Sequence, residues 1–172
     1  LRDMLQREGP IVLAANGLMQ RNSDISFPFR QDSNFWYLSG REEPDLILVI
    51  DTADEYLIVP DRDEVRATFD GQADIKQLQD ISGIKGVYEN KAGWERLNLR
   101  IKMLKTVYAI EPPAVFEQRH GIFVNPSKRA LQEALRESNK AAEFIDIRKQ
   151  LADLRMTKQS IEIKAISRAI DT

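Results

Sequence analysis

Metal-assisted hydrolysis needs several convergent carboxylates, usually with imidazoles, around an open coordination position. This sequence has one histidine, His120, and no His-Glu-x-x-His run. Its acidic residues are numerous but scattered, and the densest local group is Asp61-Arg62-Asp63-Glu64. That group reads as a solvated helix start, where acids complement the helix dipole. His120, followed by Gly121, reads as a loop histidine. There is no cysteine, which removes disulfides, thiolate zinc sites and cysteine nucleophiles together. A Ser-His-Asp set would have to use His120, and no Gly-x-Ser-x-Gly elbow occurs. Neither a dinucleotide-binding glycine pattern nor a Walker-type lysine loop is present, and Gly83-Ile84-Lys85-Gly86 reads as a plain turn. The sequence therefore leads us to expect no catalytic residue and no metal ligand in this chain.

The most unusual stretch is Arg21 to Pro44. It sets the aromatics Phe27, Phe29, Phe35, Trp36 and Tyr37 among arginines, acids and amides. One reading is a long irregular connection pinned into the core, with structural charge pairs such as Arg21 with Asp24 or Arg30 with Asp32. The other is a surface segment that lines a site.

The elements that must carry this stretch follow from periodicity. Leu1 to Glu8 reads as the end of a helix stopped by Gly9-Pro10. Ile11 to Ala15 reads as a buried strand, and the segment through Asn22-Ser23-Asp24 as a polar loop. Ser33 to Leu38 makes a helical turn capped by Asp32 or Ser33 and closed at Gly40. Leu46 to Ile50 and Tyr56 to Val59 form an antiparallel hairpin across the turn Asp51 to Glu55. Helices are expected over Asp74 to Ile81, with Ile75, Leu78 and Ile81 on one side, and over Trp94 to Leu104. Gly86 to Tyr88 and Thr106 to Ile110 are expected strands. Ser127 to Ser138 reads as a helix with Ser127 as N-cap and Ala130, Leu131, Ala134 and Leu135 inward. Phe144 to Ile147 is extended, Arg148 to Leu154 is helical, and Gln159 to Ile170 is an amphipathic helix striped by Ile163, Ile166 and Ile170. The alternation gives an α/β fold of three layers, α/β/α, around a mixed sheet of about five or six strands.

Composition bounds the partners. The chain has 172 residues and a net charge of −2 with no basic block, which argues against nucleic acid. No apolar run approaches the ~18 residues that span a bilayer, so no membrane partner is expected. Absence of cysteine fits a reducing compartment, and the cytoplasm is the expected location. The chain starts at Leu1 rather than Met, so removal of something upstream is expected.

Arg21, Ser23, Asp24, Pro28, Phe29, Arg30, Gln31, Asp32, Ser33, Phe35, Tyr37, Leu38, Gly40, Glu43 and Pro44 fall on one unbroken pattern. That run resembles the N-terminal domain of aminopeptidase P, in the creatinase/prolidase superfamily. Arg155, Lys158, Glu162 and Ile163 are similar to the family's interdomain junction. Asp61-Arg62-Asp63 is a weaker match, and Arg41 stands where the family usually has Phe. Phe69 stands where many members have a tryptophan, which in some of them reaches a neighbouring subunit's substrate site.

The resemblance implies a ribonuclease-H-like N-terminal domain over 1–156. It also implies a linker and first helix of a truncated "pita-bread" catalytic domain over 157–172, whose isoleucine stripe should lack its native partner. Two Mn²⁺ or similar ions would sit in the missing domain, none here, and a bridging hydroxide would attack the bond before proline. The chain would be non-catalytic alone, shaping substrate access and mediating homo-oligomer contacts. Its partners would be its own catalytic domain and a peptide with proline second. Phe69, Arg30 and Asp32 are the candidate substrate contacts. The alternatives are an inactive peptidase-like protein-binding module and a prolidase- or creatinase-type hydrolase.

Overall fold

In a computed structural model, residues 1, 9–61, 74–111, 119–121 and 124–170 are described. All but Leu1 of the expected helix over Leu1 to Glu8, the position Phe69 and most of the Asp61 to Glu64 group lie outside them.

The apolar run after Gly9-Pro10 forms β1 (Ile11–Ala14), which becomes a central strand. It pairs antiparallel with β4 (Ile47–Ile50) in the register Ile11↔Ile50 to Ala14↔Ile47. β4 turns back into β5 (Glu55–Val59), again antiparallel, as the hairpin signal predicts. Asp51 closes the turn by donating its backbone N–H to the Asp54 carbonyl at 2.8 Å. On the other side of β1 lie β7 (Thr106–Ala109) and then β8 (Glu143–Asp146), both parallel. β6 (Gly86–Glu89) adds a parallel edge to β5, giving the order β6-β5-β4-β1-β7-β8. A three-stranded antiparallel meander continued by two parallel strands is the ribonuclease-H-like arrangement, and β6 extends it. The six-stranded mixed sheet agrees with the expected fold class. The segment read as a polar loop instead holds a small hairpin, β2 (Gln20–Asn22) with β3 (Ile25–Ser26).

Alternation along β1 feeds two cores. Ile11 and Leu13 face one side with Phe35, Leu78 and Leu151, from helices α1 (Ser33–Ser39), α2 (Ile75–Ser82) and α5 (Arg148–Met156). Val12 faces the other with Leu97, Ile101, Leu131 and Leu135, from α3 (Asn90–Met103) and α4 (Pro126–Ser138). Each fully buried Leu or Ile contributes about 2 kcal/mol, so both helical layers are held by the sheet.

Several details differ from the sequence reading. α3 starts at Asn90, four residues before Trp94, because Gly93 faces the sheet. A Cβ there would come within 2.6 Å of the Ile58 side chain. α4 is capped by Asn125, not Ser127, and Pro126 fills its first turn, where the missing N–H costs nothing. Ala130 is exposed, as are Ile75 and Ile81, so in α2 only Leu78 reaches the core. α6 (Ser160–Ile170) has no buried residue. Among the described residues no helix is long and apolar enough to cross a membrane.

Candidate functional site

The Arg21 to Pro44 stretch lies between β1 and β4 in the chain and is fastened through Gln31 and Asp32. The Gln31 Oε1 accepts from the Asn16 N–H at 2.8 Å and from the Asp32 N–H at 2.9 Å. Its Nε2 donates to the Glu43 carbonyl at 3.0 Å. The middle of the stretch and its C-terminal end are thus tied to the chain leaving β1. Asp32 caps α1 by accepting the Asn34 and Phe35 N–H groups, each at 2.9 Å. The helix closes at Gly40 in the left-handed conformation, as its sequence signals predict. Phe35, fully buried, anchors α1 to the core.

Asp32 pairs with Lys128 of α4, Nζ to Oδ2 at 2.5 Å, and not with Arg30. Arg21 and Asp24 are exposed, and Arg21 lies over the Phe27 ring at 6.0 Å. Both charge pairs read from the sequence are therefore corrected. The long lysine of a distant helix reaches the capping carboxylate of Asp32, and Arg21 turns to the Phe27 ring. Arg30 is exposed and makes no ion pair among the described residues, while its carbonyl accepts from Asn16 Nδ2 at 2.9 Å.

A second fastening lies below. Asn125 accepts from the Gly17 N–H and donates to the Gly17 carbonyl, both at 2.9 Å. Ser127 donates its hydroxyl to Asp45, whose backbone φ of 63° is left-handed. Any Cβ at Gly17 would fall 2.1 Å from the Ser127 Oγ, so this approach requires glycine.

The result is an open cleft of about 490 Å³ walled by Phe29, Arg30, Gln31, Trp36, Tyr37 and Arg155, among others. Arg155 donates to Asn34 Oδ1 at 2.7 Å and stacks 5.6 Å from the Tyr37 ring centre. The Tyr37 phenol is pushed above its ordinary value by burial first and then by the Glu162 carboxylate, with Arg155 opposing. The phenol thus stays a donor. Such a wall offers guanidinium donors and aromatic faces, which suit contact with a carboxylate group. Among the described residues no three His, Cys, Asp or Glu side chains gather where they could hold a metal.

The description "Aminopeptidase P, N-terminal domain" matches residues 1–108. The chain belongs to that family.

Two curated relatives are both named Xaa-Pro aminopeptidase. The Haemophilus influenzae protein is 23% identical over 176 residues, covering 96% of this chain and 36% of the relative. The Escherichia coli protein is 25% identical, covering 98% of this chain and 39% of the relative. The chain therefore spans less than two-fifths of their length. The low-pH form of E. coli aminopeptidase P superposes with a TM-score of 0.73 at 21% identity, over 98% of this chain and 40% of that one. At that identity the likeness carries the fold.

Within this aminopeptidase P N-terminal domain the sequence singles out the stretch that lines the cleft, with its role left open between core and surface, and misses its fasteners. Lys128, Asn125 and Gly17 were not singled out as parts of it. Asn125-Pro126 ahead of an apolar-periodic run was the available signal, being a cap followed by a first-turn proline. His120 is exposed and lies outside the cleft lining.

Proposed function

We propose that this chain is the non-catalytic N-terminal domain of a Xaa-Pro aminopeptidase, a two-metal peptidase that releases the residue before proline. The observation that carries the reading is the Arg21 to Pro44 wall, built on a family-specific run in a chain whose curated relatives bear that name. Its role is to bound the approach of peptides and to contribute to contacts between copies. Arg30 supplies an exposed guanidinium for a peptide carboxylate, Asp32 holds the wall through α1 and Lys128, and Phe69 is a further candidate substrate contact on its sequence position alone. Two Mn²⁺ or similar ions would belong to a further domain. The described residues here do not fit such a pair, and no chemical step is assigned to them. Absence of cysteine favours a reducing compartment, the cytoplasm.

The test has two arms. The purified chain with added Mn²⁺ should release nothing from an Xaa-Pro peptide, and turnover by it would overturn the assignment. In the longer protein, Arg30→Ala should raise KM several-fold while leaving kcat nearly unchanged, the signature of lost uniform binding.

A further inference from the structure

Helix α6 is held to the rest of the protein with almost no apolar burial. None of its residues is buried, and Glu162 alone is partly shielded from solvent. Ile163, Ile166 and Ile170 remain 54%, 48% and 77% exposed. A helix of 11 residues is marginal by itself in water, so its position needs another cause.

Polar contacts supply it. Glu162 Oε2 accepts from the Gln159 N–H at 2.8 Å, capping the start of α6. The same oxygen accepts from the Tyr37 hydroxyl at 3.4 Å. Tyr37 and Asn34 belong to α1, which buried Phe35 fixes to the core. Arg155, near the end of α5, stacks on Tyr37 and donates to Asn34. Lys158 folds back to donate to the Arg155 carbonyl at 2.5 Å and the Met156 carbonyl at 3.3 Å, closing the end of α5. A continuous path thus runs from the buried core through α1 to the first turn of α6.

We infer that Tyr37, Arg155 and Glu162 form a latch that sets the direction in which α6 leaves the α/β body, with residues 157–159 as its pivot. The latch joins α1 and the start of α6 at one carboxylate oxygen. Removing the Tyr37 hydroxyl unties α6 and leaves its own cap in place. Tyr37 and Arg155 also wall the cleft, so the position of α6 and the shape of the cleft depend on the same two side chains.

Amide hydrogen exchange on the 172-residue chain tests this. In Tyr37→Phe, residues 163–170 should exchange roughly three- to ten-fold faster, the range of one ordinary hydrogen bond, because the Tyr37–Glu162 contact is long at 3.4 Å. Strands β1 and β4 should be unchanged. Arg155→Lys, which keeps the charge and loses the planar fork, should shift α6 in the same direction by less. Unchanged exchange in α6 of Tyr37→Phe would overturn the latch. So would an equal rise in β1 and β4, which would make Tyr37 a support of the core. Peptide cleavage does not enter this measurement, so the latch and the proposed activity stand or fall separately.

Discussion

Arg41 shows how a buried cation can be accommodated. Its side chain is only 4% exposed. A buried cation is costly unless its donors are matched. Here Nε reaches Glu43 at 2.9 Å, a second nitrogen makes a further contact to the same carboxylate, and the third donates to the Gln77 carbonyl at 3.3 Å. The planar fork is satisfied on three sides and clips α2 to the segment that leads into β4. Arg41→Ala should lower stability by about 2 kcal/mol in urea unfolding. That is below the usual cost of breaking a buried pair, because Glu43 keeps contact with water. A loss under about 0.5 kcal/mol would show that Glu43 and the Gln77 carbonyl are simply resolvated.

At the scale of elements, α3 is the instructive case. Its large apolar residues begin at Trp94, so periodicity places the start there, but the helix begins at Asn90. The extra turn packs through an absence: Gly93 lets the helix backbone lie against Ile58 of β5. Hydrophobic spacing registers side chains that fill space, and it is blind to one that must not. Alanine is the better helix former by about 1 kcal/mol, yet the clash with a branched strand residue outweighs it. Gly93→Ala should therefore lower Tm by roughly 3–8 °C, for a net cost of about 1–2 kcal/mol. A rise in Tm would mean that Ile58 moves aside at no cost. The caps obey the same logic in reverse. Asp32 and Gly40 are local signals around α1 and the sequence shows them directly, whereas the Asn125 cap of α4 was obscured by a serine two residues on.

At the scale of the whole molecule, one face of the sheet carries a charged aromatic stack that makes stability pH-dependent. Tyr56 meets Tyr88 edge-on at 5.4 Å, and Arg96 lies 5.1 Å and 5.5 Å from the two ring centres. Burial pushes the Tyr56 phenol up from 10.0 to about 12, with Arg96 opposing and the Asp51 and Asp54 carboxylates adding to it. The folded value lies above the unfolded one, so between the two the native state holds the extra proton. This contribution is whole below about pH 10 and is lost as pH rises through about 12. The urea midpoint should fall across that window, and Tyr56→Phe should flatten the fall. An equally steep decline in the variant would place the alkaline sensitivity elsewhere.

By itself the sequence determined what depends on near neighbours. Short apolar runs bounded by turn residues marked the central strands, the Asp51 to Glu55 turn marked the hairpin, and an unbroken run from Arg21 to Pro44 marked the family. Only the tertiary structure decided which distant groups meet. Asp32 finds Lys128 across 96 residues of chain, Asn125 grips Gly17 across 108, and Arg155 reaches Asn34 across 121. These pairings exist because β1 is inserted between β4 and β7. Strand order is a property of how layers close over a shared core, and the local pattern of polar and apolar residues that forms each strand does not encode it.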